Sequence, residues 1–173
     1  SARWAGGAAL AWLAAGIALG WLSDRPGTLL IFSLYVAQNA VYSFGAKHVP
    51  LVDAFLLSTG FVLRVVLGCV LVGVAPSNWL LLCSSALALL LALGKRRGEL
   101  LQAPAESQRR ALDGYNRSYL DQAMAIVAGI TLFSYALYSV EAPLLVNGRE
   151  FASLPFVVFG VLEYLRLAQV HDE

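Results

Sequence analysis

The sequence predicts an all-α protein, a polytopic transmembrane helix bundle. Hydrophobic residues occupy 59% of its 173 positions, charged residues only 13%, and the mean hydropathy is +0.70. A soluble domain is about 45–50% apolar and about 25% charged. In addition, the apolar residues are gathered into long runs separated by short polar segments. We therefore expect one transmembrane domain over residues 1–173.

Each apolar run is long enough for a membrane span, which needs about 20 mostly apolar residues. Backbone groups in lipid must find partners within their own segment, so each run should be an α-helix. The first ends at the turn SDRPG, the second at KHVP, the third at APSN and the fourth at GKRR, while EAPLLVNGRE separates the last two. The predicted helices cover residues 4–22, 28–46, 52–74, 79–93, 118–140 and 151–167, with a polar loop at 95–116.

The basic residues predict the orientation of this bundle. Only Arg25 and Arg149 lie at one set of helix ends, each beside an acid. Lys and Arg concentrate on the cytoplasmic side of membrane proteins, so the opposite, basic ends and the loop 95–116 should be cytoplasmic. The basic ends carry Lys47, His48, Lys95, Arg96, Arg97, Arg109, Arg110, Arg117 and Arg166.

Arg64 lies near the middle of the third predicted helix. A charge at that depth costs about 2.5–3.5 kcal/mol on insertion scales, so it should face the bundle interior or a wet cavity. Gly60 and Gly68 lie four residues on either side and would let other helices approach. Asp53 is on the same face, about 16 Å away at 1.5 Å per residue. A purely structural arginine remains the alternative.

Tyrosines mark the basic ends of two other predicted helices. Tyr42 shares a helical face with Tyr35, and Lys47 follows at the cytoplasmic exit. Tyr115 and Tyr119 share a face where the fifth helix begins. These residues are candidates for a binding site, but interhelical hydrogen bonding or anchoring at the interface explains them equally well.

The stretch GKRRGEL holds cations and an acid at helical spacing. Lys95 and Glu99 are four residues apart, and Arg96 and Glu99 are three apart. If the helix continues past the membrane surface, these pairs lie on one side of it. A stop-transfer cluster explains the cations but not the acid, so both interpretations stay open on spacing alone.

Four motifs occur in order at the helix ends: YSFGAKH, GFVLRVVLG, GKRRGEL and YNRSYL. Together they resemble the UbiA superfamily of intramembrane prenyltransferases, and more closely its decaprenyl-phosphate phosphoribosyltransferase branch. The resemblance implies an enzyme of nine helices, six of them in this chain. It also implies that fixed cations of GKRRGEL neutralise phosphate oxygens where aromatic prenyltransferases carry a second Asp-rich motif.

The activity that the resemblance implies is transfer of 5-phosphoribose from phosphoribosyl pyrophosphate to a polyprenyl phosphate, for cell-wall arabinan precursor synthesis. The expected location is the bacterial inner membrane, with the active site facing the cytoplasm. The expected partners are these two substrates and the lipid bilayer; a homo-oligomer is left open, and no nucleic acid is expected.

The sequence departs from the family in two places. The family holds Mg²⁺ with an N-D-x-x-D motif, which this chain lacks, so Mg²⁺ is expected as the cofactor with no metal ligand in this chain. We expect the chain to be a fragment that is inactive alone. Glu163 also stands where the branch usually has Arg before the tyrosine that matches Tyr164.

Two alternatives are weighed against this function. One is a UbiA-type aromatic prenyltransferase that uses a polyprenyl diphosphate, which Lys95 and Arg96 disfavour; the other is a non-catalytic membrane transporter or scaffold. Arg97 is expected only to snorkel at the membrane surface. No residue is assigned a catalytic role. The predicted substrate-binding residues are Tyr42, Lys47, Asp53, Arg64, Lys95, Arg96, Glu99, Tyr115 and Tyr119.

Overall fold

A computed structural model describes residues 14, 16–18, 20, 21, 25, 27–102, 114–141 and 151–170. These residues form α-helices and one short 3-10 helix, Ala46–His48, and no strand occurs among them. The predicted all-α class is thereby confirmed. The helices are α1 (Thr28–Phe44), α2 (Val52–Val72), α3 (Asn78–Gln102), α4 (Arg117–Glu141) and α5 (Leu154–Val170).

Three of the helices, α2, α3 and α4, are long and apolar enough to cross a membrane. Helices α1 and α5 have 17 residues each, about 26 Å at 1.5 Å per residue, which is near the lower limit for a span. The first predicted run, 4–22, falls mostly outside the described residues. Its described positions 14, 16–18, 20 and 21 are helical.

Helix α3 runs past the residue where the apolar run stops. It continues to Gln102, so residues 95–102 of the predicted loop are helical. Gly94 does not end the helix. Instead it gives room to a neighbour, because a Cβ built there would collide with the Tyr164 side chain of α5. The charges that follow therefore lie on a rigid helix, which fixes their directions relative to one another.

Helix α2 has unusual backbone at both ends. It ends at Gly73, whose positive φ of 77° lets its N–H reach the carbonyls of Cys69 and Val70, as in a Schellman motif. It begins after Leu51, a non-glycine residue with a φ of 65°. That conformation is costly for a branched side chain and persists only where the surroundings hold it.

Neighbouring helices run in alternate directions, with α3 at the centre of the bundle. At one end, Ser77 donates a hydrogen bond to Glu141 at 2.6 Å, which joins the start of α3 to the end of α4. At the other end, Asp53 near the start of α2 pairs with Arg96 near the end of α3. The hydrophobic core includes Ala54, Leu90, Leu93, Leu120, Met124, Val127 and Val161.

Candidate functional site: a charged cluster at the basic end

The three successive cations of α3 point in three directions. The Lys95 side chain is 62% exposed, whereas the Arg96 and Arg97 side chains are each 1% exposed. Successive residues of a helix are turned by about 100°, so the register of the helix explains this. Lys95 continues the exposed row of Leu87 and Leu91, while Arg97 continues the buried row of Ala86, Leu90 and Leu93.

Arg96 is held by groups from two other helices and from its own. Its Nε contacts Oδ2 of Asp53, which is itself fully buried, and its Nη1 contacts Oε2 of Glu99. Its Nη2 donates to the Tyr42 hydroxyl at 3.5 Å. A buried guanidinium is tolerated only when it is paired and hydrogen-bonded in this way. Two carboxylates therefore surround this one buried cation.

Tyr115 connects the cluster to the loop before α2. Its hydroxyl accepts a hydrogen bond from the Leu51 N–H at 2.5 Å and donates to Oδ1 of Asp53 at 3.3 Å. The bond from the Leu51 N–H helps to hold Leu51 at its positive φ. Burial raises the pKa of the Tyr115 hydroxyl, and the nearby charge of Asp53 acts in the same direction. Tyr119 stacks on Tyr115 with ring centroids 6.1 Å apart.

Most of the residues predicted for the site come together at this end. The basic-end cluster consists of Tyr42, Asp53, Arg96, Glu99 and Tyr115. Tyr119 adjoins it through the ring stack, and Lys95 adjoins it because its Nζ lies 3.9 Å from Oε1 of Glu99.

Two predicted site residues lie apart from the cluster. Lys47 belongs to the 3-10 helix and makes no hydrogen bond or ion pair within the described part of the chain. Arg64 was expected to face the bundle interior, but the described helices leave it exposed. It donates to the Tyr35 hydroxyl at 2.5 Å, and its guanidinium carbon lies 5.1 Å from the ring centroids of Tyr35 and Phe61. Among the described residues no acid forms an ion pair with Arg64, and the aromatic faces attract the cation.

The expectation that Arg97 snorkels at the membrane surface is wrong. Its Nε donates to Oδ1 of Asp121 in α4 at 2.6 Å, and its Nη1 donates to the Ala168 carbonyl in α5. Sequence reasoning missed Asp121 and Ala168 altogether. One signal was present, because Arg97 lies four and seven residues after Leu93 and Leu90 and so continues the core face.

The described residues do not fit the Mg²⁺ that the family resemblance implies. Mg²⁺ takes oxygen ligands, chiefly carboxylates and waters. Asp53 and Glu99 already direct their carboxylates at Arg96. No group of three or more His, Cys, Asp or Glu side chains that could hold a metal ion occurs in the described ranges. The two carboxylates of the cluster therefore pair with the guanidinium of Arg96.

The fold and the cluster define a class of protein: an integral membrane protein, all-α, with buried charge pairs at the basic end of its bundle. No protein-family model matches the chain. The chain is 34% identical over 138 residues to "Decaprenyl-phosphate phosphoribosyltransferase" of Corynebacterium glutamicum, an alignment that covers 78% of the chain and 42% of that protein.

Two further relatives extend the comparison. The protein of the same name from Mycolicibacterium smegmatis is 31% identical over 121 residues, covering 69% of the chain and 37% of that protein. An "Uncharacterized protein y4nM" of Sinorhizobium fredii is 38% identical over 113 residues, covering 65% of the chain and 21% of that protein. The chain is therefore a homologue of part of the decaprenyl-phosphate phosphoribosyltransferases, which confirms the resemblance drawn from its motifs.

The chain spans less than half the length of these curated relatives.

Proposed function

We propose that the protein to which this chain belongs transfers 5-phosphoribose from phosphoribosyl pyrophosphate to a polyprenyl phosphate, for a cell-wall arabinan precursor. The observation that carries the proposal is the exposed Lys95 ammonium beside the Asp53–Arg96–Glu99 network, in which Asp53 and Arg96 are buried. The names of the curated relatives supply the acceptor, a decaprenyl phosphate, and the group transferred.

The reaction brings two phosphorylated molecules to one place. A phosphate oxygen of the lipid attacks C1 of the phosphoribosyl group and forms a new C–O bond. The bond from C1 to the pyrophosphate oxygen breaks, and pyrophosphate leaves with the electron pair. Negative charge moves onto the leaving group, so a fixed cation nearby stabilises the transition state.

Within the described residues, we assign the phosphate contact to Lys95. Its ammonium is the exposed cation of the GKRRGEL stretch, and a compact point charge of this kind can contact a phosphate oxygen. Arg96 is enclosed by Asp53, Glu99 and Tyr42, so in this arrangement it orients the end of α3 and does not face a ligand. Glu99 lies between the two cations and holds Lys95 near the cluster.

Labelled phosphoribosyl pyrophosphate and a polyprenyl phosphate, added to membranes that contain the natural full-length protein, test the proposal. We expect a labelled lipid and one pyrophosphate released per transfer. A polyprenol without its phosphate is the matched control and should accept nothing. Membranes that join a polyprenyl diphosphate to an aromatic acceptor, and form no labelled phosphoribosyl lipid, would favour the aromatic prenyltransferase instead.

The proposal includes a location: the bacterial inner membrane, with the basic-end cluster on the cytoplasmic side. The excess of Lys and Arg at that end supports it. Single cysteines at exposed positions of opposite ends, His48→Cys and Ala75→Cys, provide a test. In intact cells whose outer envelope admits the reagent, a thiol reagent that cannot cross the inner membrane should label residue 75 and not residue 48. The reverse pattern would invert the bundle.

A further inference from the structure

We propose that Arg97 is a positioning residue that sets the direction in which Lys95 points. The inference rests on the proposed function, because Lys95 matters only if a phosphate binds there. Arg97 itself is buried, because its side chain is 1% exposed and contacts α4 and α5.

Two contacts of Arg97, to Asp121 and to Ala168, use donors that point in different directions. The Nε bond to Asp121 fixes α3 against the first turns of α4. The Nη1 bond to Ala168 reaches a carbonyl in the last described turn of α5. The negative end of the helix dipole favours a cation at this point. One guanidinium thus joins three helices at a single level.

Arg96 supplies the opposing contact. It follows Lys95 and precedes Arg97, and it is bound to Asp53 of α2. Helix α3 is therefore held on two sides by ion pairs of two consecutive, buried arginines. Any rotation of α3 about its axis that turned Lys95 away would have to break both pairs. Lys95 points to a side of α3 that neither ion pair occupies. Arg97 is one of the two arginines that hold the helix in this rotation.

Arginine is required here by its shape as well as its charge. A lysine keeps the charge but presents one compact donor group in place of a planar fork, so it cannot satisfy Asp121 and Ala168 with the same geometry. We expect Arg97→Lys in the full-length protein to lower kcat/KM by about tenfold. Arg166→Gln, at an exposed position near the same end of α5, is the matched control and should change kcat/KM by less than twofold.

A double-mutant cycle separates positioning from a purely structural role. If Arg97 acts through Lys95, the loss caused by Arg97→Lys should largely disappear in a Lys95→Ala background, because the residue that it positions is gone. Losses that multiply independently would overturn the inference. Should Arg97→Lys fail to accumulate, Asp121→Asn replaces it, since that change keeps an oxygen acceptor for Nε and removes only the charge.

A second readout needs no transferase activity. Cys69 and Cys83 are first changed to alanine, and Lys95→Cys is then introduced. The rate of thiol modification reports how accessible the side chain at position 95 is. Arg97→Lys should change that rate by threefold or more, and Arg166→Gln should not. An unchanged rate overturns the inference even if phosphoribosyl transfer is found. A changed rate in a protein without that transfer would sustain the positioning and defeat only the proposed function.

Discussion

The basic end and the middle of the bundle accommodate arginine in different ways. Arg96 and Arg97 are buried and paired with carboxylates from neighbouring helices, whereas Arg64 is exposed and contacts a tyrosine hydroxyl and two aromatic rings. An ion pair fixes its partners in one geometry, and an aromatic sandwich leaves the cation more freedom. The comparison teaches that the basic end is the rigid part of the site and that Arg64 is held more loosely.

The largest expected effect comes from removing the acid that neutralises Arg96. Asp53→Ala leaves a buried guanidinium without its main partner, so the free energy of unfolding should fall by about 3–5 kcal/mol. Thermal unfolding in detergent measures this. As a control, Lys95→Ala breaks only the exposed contact with Glu99 and should cost less than about 1 kcal/mol. Similar losses in both variants would contradict the contrast between buried and exposed charges.

The next effect is on turnover, at Lys95. A charge-assisted contact to phosphate is worth about 1.5–3 kcal/mol, so Lys95→Ala should lower kcat/KM roughly tenfold to a hundredfold at matched expression. Lys95→Arg, which keeps the charge but changes the donor geometry, should recover part of the loss. Initial rates of labelled lipid formation give the comparison, and full activity in Lys95→Ala would show that no phosphate binds there.

A smaller effect is expected at Tyr115. Tyr115→Phe removes the hydroxyl that links the Leu51 N–H to Asp53, which should cost about 1–2 kcal/mol of stability. The pKa of this hydroxyl is raised by burial, so the native state favours the protonated form. Its contribution is complete below the ordinary tyrosine pKa of about 10 and is lost as pH rises through the higher native value.

The alkaline limb of a stability profile checks the Tyr115 prediction. Wild-type protein should lose more stability than Tyr115→Phe as pH rises above about 10. Tyr119→Phe keeps the stacked ring and lacks only an exposed hydroxyl, so it serves as the control and should behave as wild type. Parallel profiles for wild type and Tyr115→Phe would place the titrating group elsewhere.

The smallest stability effect is expected at Arg64. Arg64→Leu removes a charge whose insertion costs about 2.5–3.5 kcal/mol, so the amount of protein in the membrane should be unchanged or higher. Activity should nevertheless fall, if the exposed guanidinium serves a cavity of the whole protein. Expression and kcat/KM measured together decide this. Unchanged kcat/KM would make Arg64 a structural residue and would sharpen its contrast with Arg96.

Much of the fold could be predicted because lipid allows few alternatives. Apolar runs of sufficient length must be helices, and the runs from residue 28 onward correspond to helices of the structure. The end of α3 could not be predicted from hydropathy, which falls at Gly94 although the backbone there stays helical. What keeps it helical is burial of charged side chains against α2, α4 and α5, and that packing is not visible in the α3 sequence alone.

The candidate site was predictable in composition but not in its pairings. Spacing within α3 places Glu99 beside Lys95 and Arg96, and the structure has both contacts. The partners of Arg97 are distant along the chain, at residues 121 and 168. No local spacing relates them, since they meet only when α4 and α5 pack on α3. Helical register indicates that Arg97 is buried, but it cannot name the acid that neutralises it.

The close approach of α3 and α5 at Gly94 lies between an apolar groove and the charged end of α3. Below this contact, a groove of about 290 Å³ opens between the helices, lined by Leu87, Leu91, Val157, Gly160 and others. At Gly94 the Tyr164 side chain takes the space that a Cβ would need, so the groove closes. The charged residues begin at the next position, Lys95, so a hydrocarbon chain lying in the groove would meet Tyr164 before it reached them. Because Gly94 has no Cβ, the Tyr164 side chain can lie between the apolar groove and the charged end of α3.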